Sequence, residues 1–189
     1  MGFCRTNLFK RLESSGYSFL LSLSRHVLRN YIYAYAIENN LPLPIGAQEA
    51  DLLDEFLDDV DLDNAGTNEG TIKILLDEEG YYAQAKKIYK LYETNYHNRF
   101  DWIRSGFFEN TLKNILIDDS KEILKILKIG KNWNSIDDRQ LNALYDLCTK
   151  KHPKDKLLIF TQFADTAYYL CDELKKRNLS QIECVTGDS

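Results

Sequence analysis

From Asp155 to Gln162 the chain reads DKLLIFTQ, and this short run limits the fold more than any other stretch. Leu157 to Phe160 are four apolar residues in succession, too few for a helix and suited to a strand buried on both faces. "ADTAYYLCDELKKR" follows with helical spacing, and "IECVTG" reads as a second strand. Strand, helix, strand with short turns is a βαβ unit, whose strands should be parallel neighbours joined by a right-handed crossover. Two parallel strands rarely make a finished domain, so the C-terminal part reads as an incomplete α/β lobe. Its unpaired sheet edge is expected to pair with another copy of the chain, giving a dimer.

Everything before this run is helical in pattern. From Asn7 to about Asn39, Leu8, Leu12, Phe19 and Leu23 return every three to four residues, with a kink or break expected at Ser15 and Gly16. Pro42 and Pro44 stop that helix. Residues 81 to 109 resume helical spacing through Tyr82, Ala85, Ile88, Tyr89, Tyr92, Tyr96 and Phe100, a stripe read as core, with a break near Ser105 and Gly106. "TLKNILIDDSKEILKILKIG" offers two short helices, the second capped by Asp119 or Ser120 and closed by Gly130. "SIDDRQLNALYDLCTKK" is a further capped helix, ended by His152 and Pro153. The fold class is therefore mainly α, a helical bundle over 1–152 followed by a βαβ unit over 153–189.

Charge divides the chain unevenly. Residues 1 to 37 hold Arg5, Lys10, Arg11, Arg25 and Arg29 against Glu13, whereas residues 49 to 80 hold twelve acids against Lys73. From residue 81 onward eighteen bases face fifteen acids. A net charge of −5 thus leaves room for a basic face and does not exclude a nucleic-acid partner. Within the acidic stretch, Leu52, Leu53, Phe56 and Leu57 suit a short amphipathic helix, and residues near 58–70 read as a loop. Asp59, Asp61 and Asp63 alternate as calcium ligands would, yet that frame puts Asn64 where the turn needs Gly and Gly70 where a bidentate Glu is needed. Starting at Asp61 supplies Gly66 but leaves Ile72 at the last ligand position.

The cysteines, Cys4, Cys148, Cys171 and Cys184, are widely spaced and lie away from the histidines, so they read as free thiols rather than a disulfide or zinc framework. No run approaches the length of a membrane span, and no signal-peptide pattern follows the basic N-terminus. The expectation is a cytoplasmic chain without a membrane contact.

At the carboxyl end of a parallel strand, helix N-terminal amides face outward and stabilise an anion such as phosphate. Thr161 and Gln162 stand at one such end, Thr186 and Gly187 at the next, on the same edge of the expected sheet. These four are candidate binding residues; for Thr161 a plain helix cap is the alternative.

"DKLLIFTQFADTAYYLCDEL" with "VTGDS" resembles the opening of the second RecA-like lobe of superfamily 2 helicases and Swi2/Snf2-type translocases. There a K-x-L-I-F-x-Q strand, helicase motif IV, precedes a helix and a strand ending in Gly-Asp or Gly-Ser. The N-terminal "GFCRTNLFKRLESSGYSFLLSLSRH" resembles the basic helix that follows the first ATPase lobe in bacterial Swi2/Snf2-like helicases. The resemblance covers both ends of the chain; the acidic middle corresponds by position to the inter-lobe helical insertion. It implies that Thr161, Gln162, Thr186 and Gly187 lie along the nucleic-acid path, and that Arg5, Lys10 and Arg11 face the cleft or the DNA backbone, contacts that position without reading sequence.

The chain lacks the G-x-x-x-x-G-K-[ST] phosphate loop, a D-E-x-H magnesium motif and the arginine-bearing motif of such enzymes. The resemblance implies ATP and magnesium in a full-length parent, no cofactor bound by this segment, and DNA and the remaining helicase lobes as partners. A helical protein-interaction module is the alternative. A Rossmann-type nucleotide enzyme is disfavoured, since "LIFTQFADT" lacks the glycines that admit a pyrophosphate.

Overall fold

The structure, a computed structural model, describes residues 2–46, 75–108 and 110–187. It is mainly α: the described residues form six helices and one small two-stranded sheet. The helices are α1 (Gly2–Ser14), α2 (Gly16–Glu38), α3 (Glu78–Thr94), α4 (Asn110–Gly130), α5 (Arg139–Asp146) and α6 (Ala164–Lys176). Strands β1 (Leu43–Ile45) and β2 (Asp101–Ile103) pair antiparallel, with Pro44 opposite Trp102. The acidic helix and loop expected between residues 49 and 70 lie outside the described residues.

The chain forms two compact units that divide within α2, after Ser22. One unit is built from α2 beyond Leu23, α3, α4 and the sheet. Most of the expected stripe lies in its core: Ala85, Ile88, Tyr89, Tyr92 and Phe100 are buried, whereas Tyr82 and Tyr96 are only partly so and their neighbour Tyr81 is buried instead; Val27, Leu28 and Ile32 of α2 and Leu124 and Leu127 of α4 complete the core. Each buried Val, Leu or Ile side chain among these contributes roughly 1.5–3 kcal/mol by leaving water. The tyrosine hydroxyls are mostly satisfied: Tyr81 shares a 2.7 Å hydrogen bond with Ser24, and Tyr89 donates to the Pro42 carbonyl at 2.7 Å. Burial, with the nearby Glu93 charge second, pushes the Tyr89 hydroxyl up to about 12, which keeps it a neutral donor.

Two elements of this unit differ from the sequence expectation. α3 ends at Thr94, well before Ser105, because the chain turns at Asn95 and feeds β2. Residues 110–130 form one helix rather than two. Neither expected cap residue breaks it: the Ser120 hydroxyl donates back to the Leu116 carbonyl, and Asp119 accepts from Asn30 and meets His26.

The other unit joins α1 and the start of α2 to α5 and α6. Leu141, Tyr169 and Leu174 form its core, with Tyr17, Trp133, Leu144, Tyr145, Leu170, Leu179 and Ile182 packed around them. Tyr17 stacks on Tyr169, with centroids 4.9 Å apart and planes 7° from parallel. Asp138 ties this core together. One carboxylate oxygen caps α5 through the Gln140 and Leu141 amides, and the other accepts the Tyr169 hydroxyl at 2.9 Å.

The expected C-terminal βαβ unit is realised in its helix, α6, but not in its strands. Residues 156–160 and 182–186 join no ladder. Leu158 and Phe160 are 87% and 91% exposed and Val185 is 80% exposed, where burial on both faces was expected. Leu157 and Ile159, at 37% and 49%, alternate with them, so the period-two pattern persists with one face partly covered. The reason is physical: a parallel pair needs cover on both faces and neighbours beyond it, and α6 supplies only part of that.

Candidate nucleic-acid interface

The N-terminus of α6 is where the distant candidates meet. Phe163 takes the cap position in extended backbone and no side chain caps the helix, so Thr161 is not a cap. Its hydroxyl instead stands 3.4 Å from that of Ser14, at the end of α1. Ser14 also bonds Thr166 at 2.9 Å, and Ser18 of α2 bonds the same Thr166 hydroxyl at 2.9 Å. Thr166 and Ser18 are buried and Ser14 and Thr161 partly so, and this hydroxyl ladder runs along the seam between α6 and the α1–α2 corner.

Arg11 lies over the same helix end. Its guanidinium pairs with Asp165 at 2.5 Å and covers the Phe163 ring at 4.6 Å. Both partners are half-buried, so the contact holds more firmly than a fully solvated pair. Asp165 in the first turn also complements the helix dipole. Arg11 thereby joins α1 to the 161–166 junction, and Asp165 balances its charge on the spot.

The other candidates are arranged more loosely. Gln162 is exposed beside Thr161, and Lys10 is exposed on α1. Arg5 lies on α1, with its side chain outside those described. Thr186 is held at 3.0 Å by the Tyr168 hydroxyl of α6, and Gly187 faces open space. Thr161, Gln162, Arg11 and Thr186 are thus all anchored to or beside α6. Sequence reading passed over Ser14, Ser18, Asp165 and Thr166; Ser14 and Ser18 lie on different helices, so no helical spacing signals that both reach Thr166.

Cys148, Cys171 and Cys184 are free thiols. Burial, and after it the proximity of Cys171 and Asp172, pushes the Cys184 thiol up. No group of three or more histidine, cysteine or acidic residues fit to hold a metal ion occurs among the described residues, and none of the described helices is long and apolar enough to cross a membrane. Comparison of the chain with protein families, with curated proteins and with solved structures finds no match.

Proposed function

We propose that the chain is a portion of an ATP-dependent DNA helicase or translocase of the bacterial Swi2/Snf2-like type. It supplies the inter-lobe helical region and part of the nucleic-acid path, and does not hydrolyse ATP alone. One observation carries this reading: the two separate stretches that bear the resemblance pack on each other, through Arg11 with Asp165 and Ser14 with Thr166. A helix that follows one lobe and the first strand–helix junction of the next would need that contact to transmit movement. The exposed Leu158, Phe160 and Val185 fit sheet strands whose neighbours come from elsewhere in such a protein.

The role is geometric. Closure of a parent's lobes around ATP and magnesium would move α1, and the Arg11–Asp165 and hydroxyl contacts would carry Thr161 and Gln162 with it. These residues offer hydroxyl, amide and carbonyl groups suited to a phosphate backbone, without base selectivity.

The test is anisotropy of labelled duplex and single-stranded DNA across a salt series, with Arg5, Lys10 and Arg11 all replaced by alanine in a second protein. Salt-sensitive binding lost in the triple variant is the expected result. ATPase activity of the purified chain, above that of a mutant control, would sink the reading.

A second reading, a protein-docking helical module, draws on α4, where Ile115, Ile126 and Ile129 are exposed. Indifference to DNA at low salt, with capture of a protein partner lost on Ile129→Asp, would favour it.

A further inference from the structure

We infer that the turn from Tyr96 to Phe107 is a stacking platform for single-stranded nucleic acid, a site separate from the α6 junction. Its basis lies wholly within the unit built on α3 and the small sheet, and it does not depend on the resemblance.

The platform has a rigid floor. Pairing of β2 with β1 sets Trp102 opposite Pro44, and the indole N–H donates to the His97 carbonyl at 2.9 Å. Tyr89 and Phe100 meet the indole edge-on, at 6.0 and 6.1 Å, and Phe100 packs on buried Tyr92 at 4.5 Å. On this floor the His97 ring lies 4.9 Å from the indole and 14° from parallel, and His97 is an exposed residue. An imidazole already held flat on an indole presents a second flat face, so a base meeting it loses little protein entropy.

The surroundings have the charge that such a ligand needs. From residue 86 to 107 the bases are Lys86, Lys87, Lys90, Arg99 and Arg104 and the acids only Glu93 and Asp101, all of them exposed. Lys86, Lys87, Lys90 and Arg104 make no ion pair among the described residues. The Arg99 guanidinium lies over the Tyr96 ring at 5.3 Å, a second planar group at the same turn. Phe107 is 78% exposed and Ile103 36% exposed, at the end of the same segment. Cations without an ion pair, close in sequence to the exposed rings of His97 and Phe107, match a phosphate chain carrying unpaired bases. An acidic peptide would use the cations but leave Phe107 and the His97 face idle; a duplex hides its base faces in the stack.

The experiment uses the full chain and three labelled probes: oligo(dT), an abasic phosphodiester of equal length and charge, and poly-glutamate. Phe107→Ala and Arg104→Ala alter exposed side chains, and circular dichroism checks their folding. The expected result is salt-sensitive binding of oligo(dT), roughly tenfold weaker for the abasic chain and for Phe107→Ala, with a shallower salt slope for Arg104→Ala. Equal affinity for the abasic chain or poly-glutamate, unchanged binding by both variants, or no binding of oligo(dT) at low salt would each overturn the inference. A parallel Thr161→Ala, Gln162→Ala protein separates the two sites. If it alone loses oligo(dT), the platform falls and the proposed function stands; if the platform variants alone lose it, the reverse holds.

Discussion

Glu173 keeps a carboxylate where burial should discourage one. The residue is 6% exposed, and burial by itself would raise its pKa; hydrogen bonds from Ser135 and Lys176, with the charges of Lys176 and Arg177, outweigh that and hold it below the ordinary glutamate value. A group depressed in this way stabilises the fold above its unfolded pKa, about 4.3, and the contribution disappears as pH falls through the lower folded value. Glu173→Gln should therefore melt below the native protein at pH 7, by about 1–3 kcal/mol of stability. The gap between the two should close below pH 4 in thermal scans; a gap independent of pH would refute the assignment. At this scale the sequence was only partly legible. Asp138 announces itself as a helix cap, but its second bond, to Tyr169 thirty-one residues on, depends on which helix packs beside α5.

Among the elements, the corner between α1 and α2 best repays a test. The expected break at Ser15 and Gly16 is present, and a close approach requires glycine beside it: a Cβ on Gly16 would sit 2.6 Å from the Trp133 indole nitrogen. Trp133 is itself wedged against Tyr17 and Tyr169, at 6.2 and 5.6 Å, and cannot swing away freely. Alanine gains up to about 1 kcal/mol over glycine in a helix interior, and less at a first turn, whereas overpacking costs about 1–3 kcal/mol. Gly16→Ala should thus be destabilising, by about 1 kcal/mol, with a changed tryptophan emission; a rise in melting temperature would show that Trp133 yields. Periodicity found the helices, since 3.6-residue spacing is a local property. It failed at 110–130 because Asp119 and Ser120 look like caps until their partners in α2 and α4 are known, and at β1 and β2 because three-residue strands carry too few side chains to show a period.

For the whole molecule, the exposed segments 156–160 and 182–186 decide its behaviour in solution. Leu158, Phe160 and Val185 together present bare apolar side chains on backbone that joins no ladder. Such segments pair with like segments, so the purified chain should self-associate with rising concentration, and Leu158→Lys with Phe160→Lys should return it to a monomer. Light scattering across a concentration series measures this, and a strictly monomeric native chain would count against it. The candidate site was legible in part: Thr161, Gln162 and Arg11 were named from their sequence surroundings, whereas Asp165, Ser14 and Thr166 became visible only when α1 met α6. By itself the sequence determined the helical character, the aromatic core of α3, the break at Gly16 and the capped start of α5, because propensity, periodicity and caps act within a few residues. Tertiary structure decided which unit each stretch of helix joins, where the two strands pair and whether LLIF is buried. Those outcomes depend on what lies across from a side chain, and no spacing along the chain encodes that.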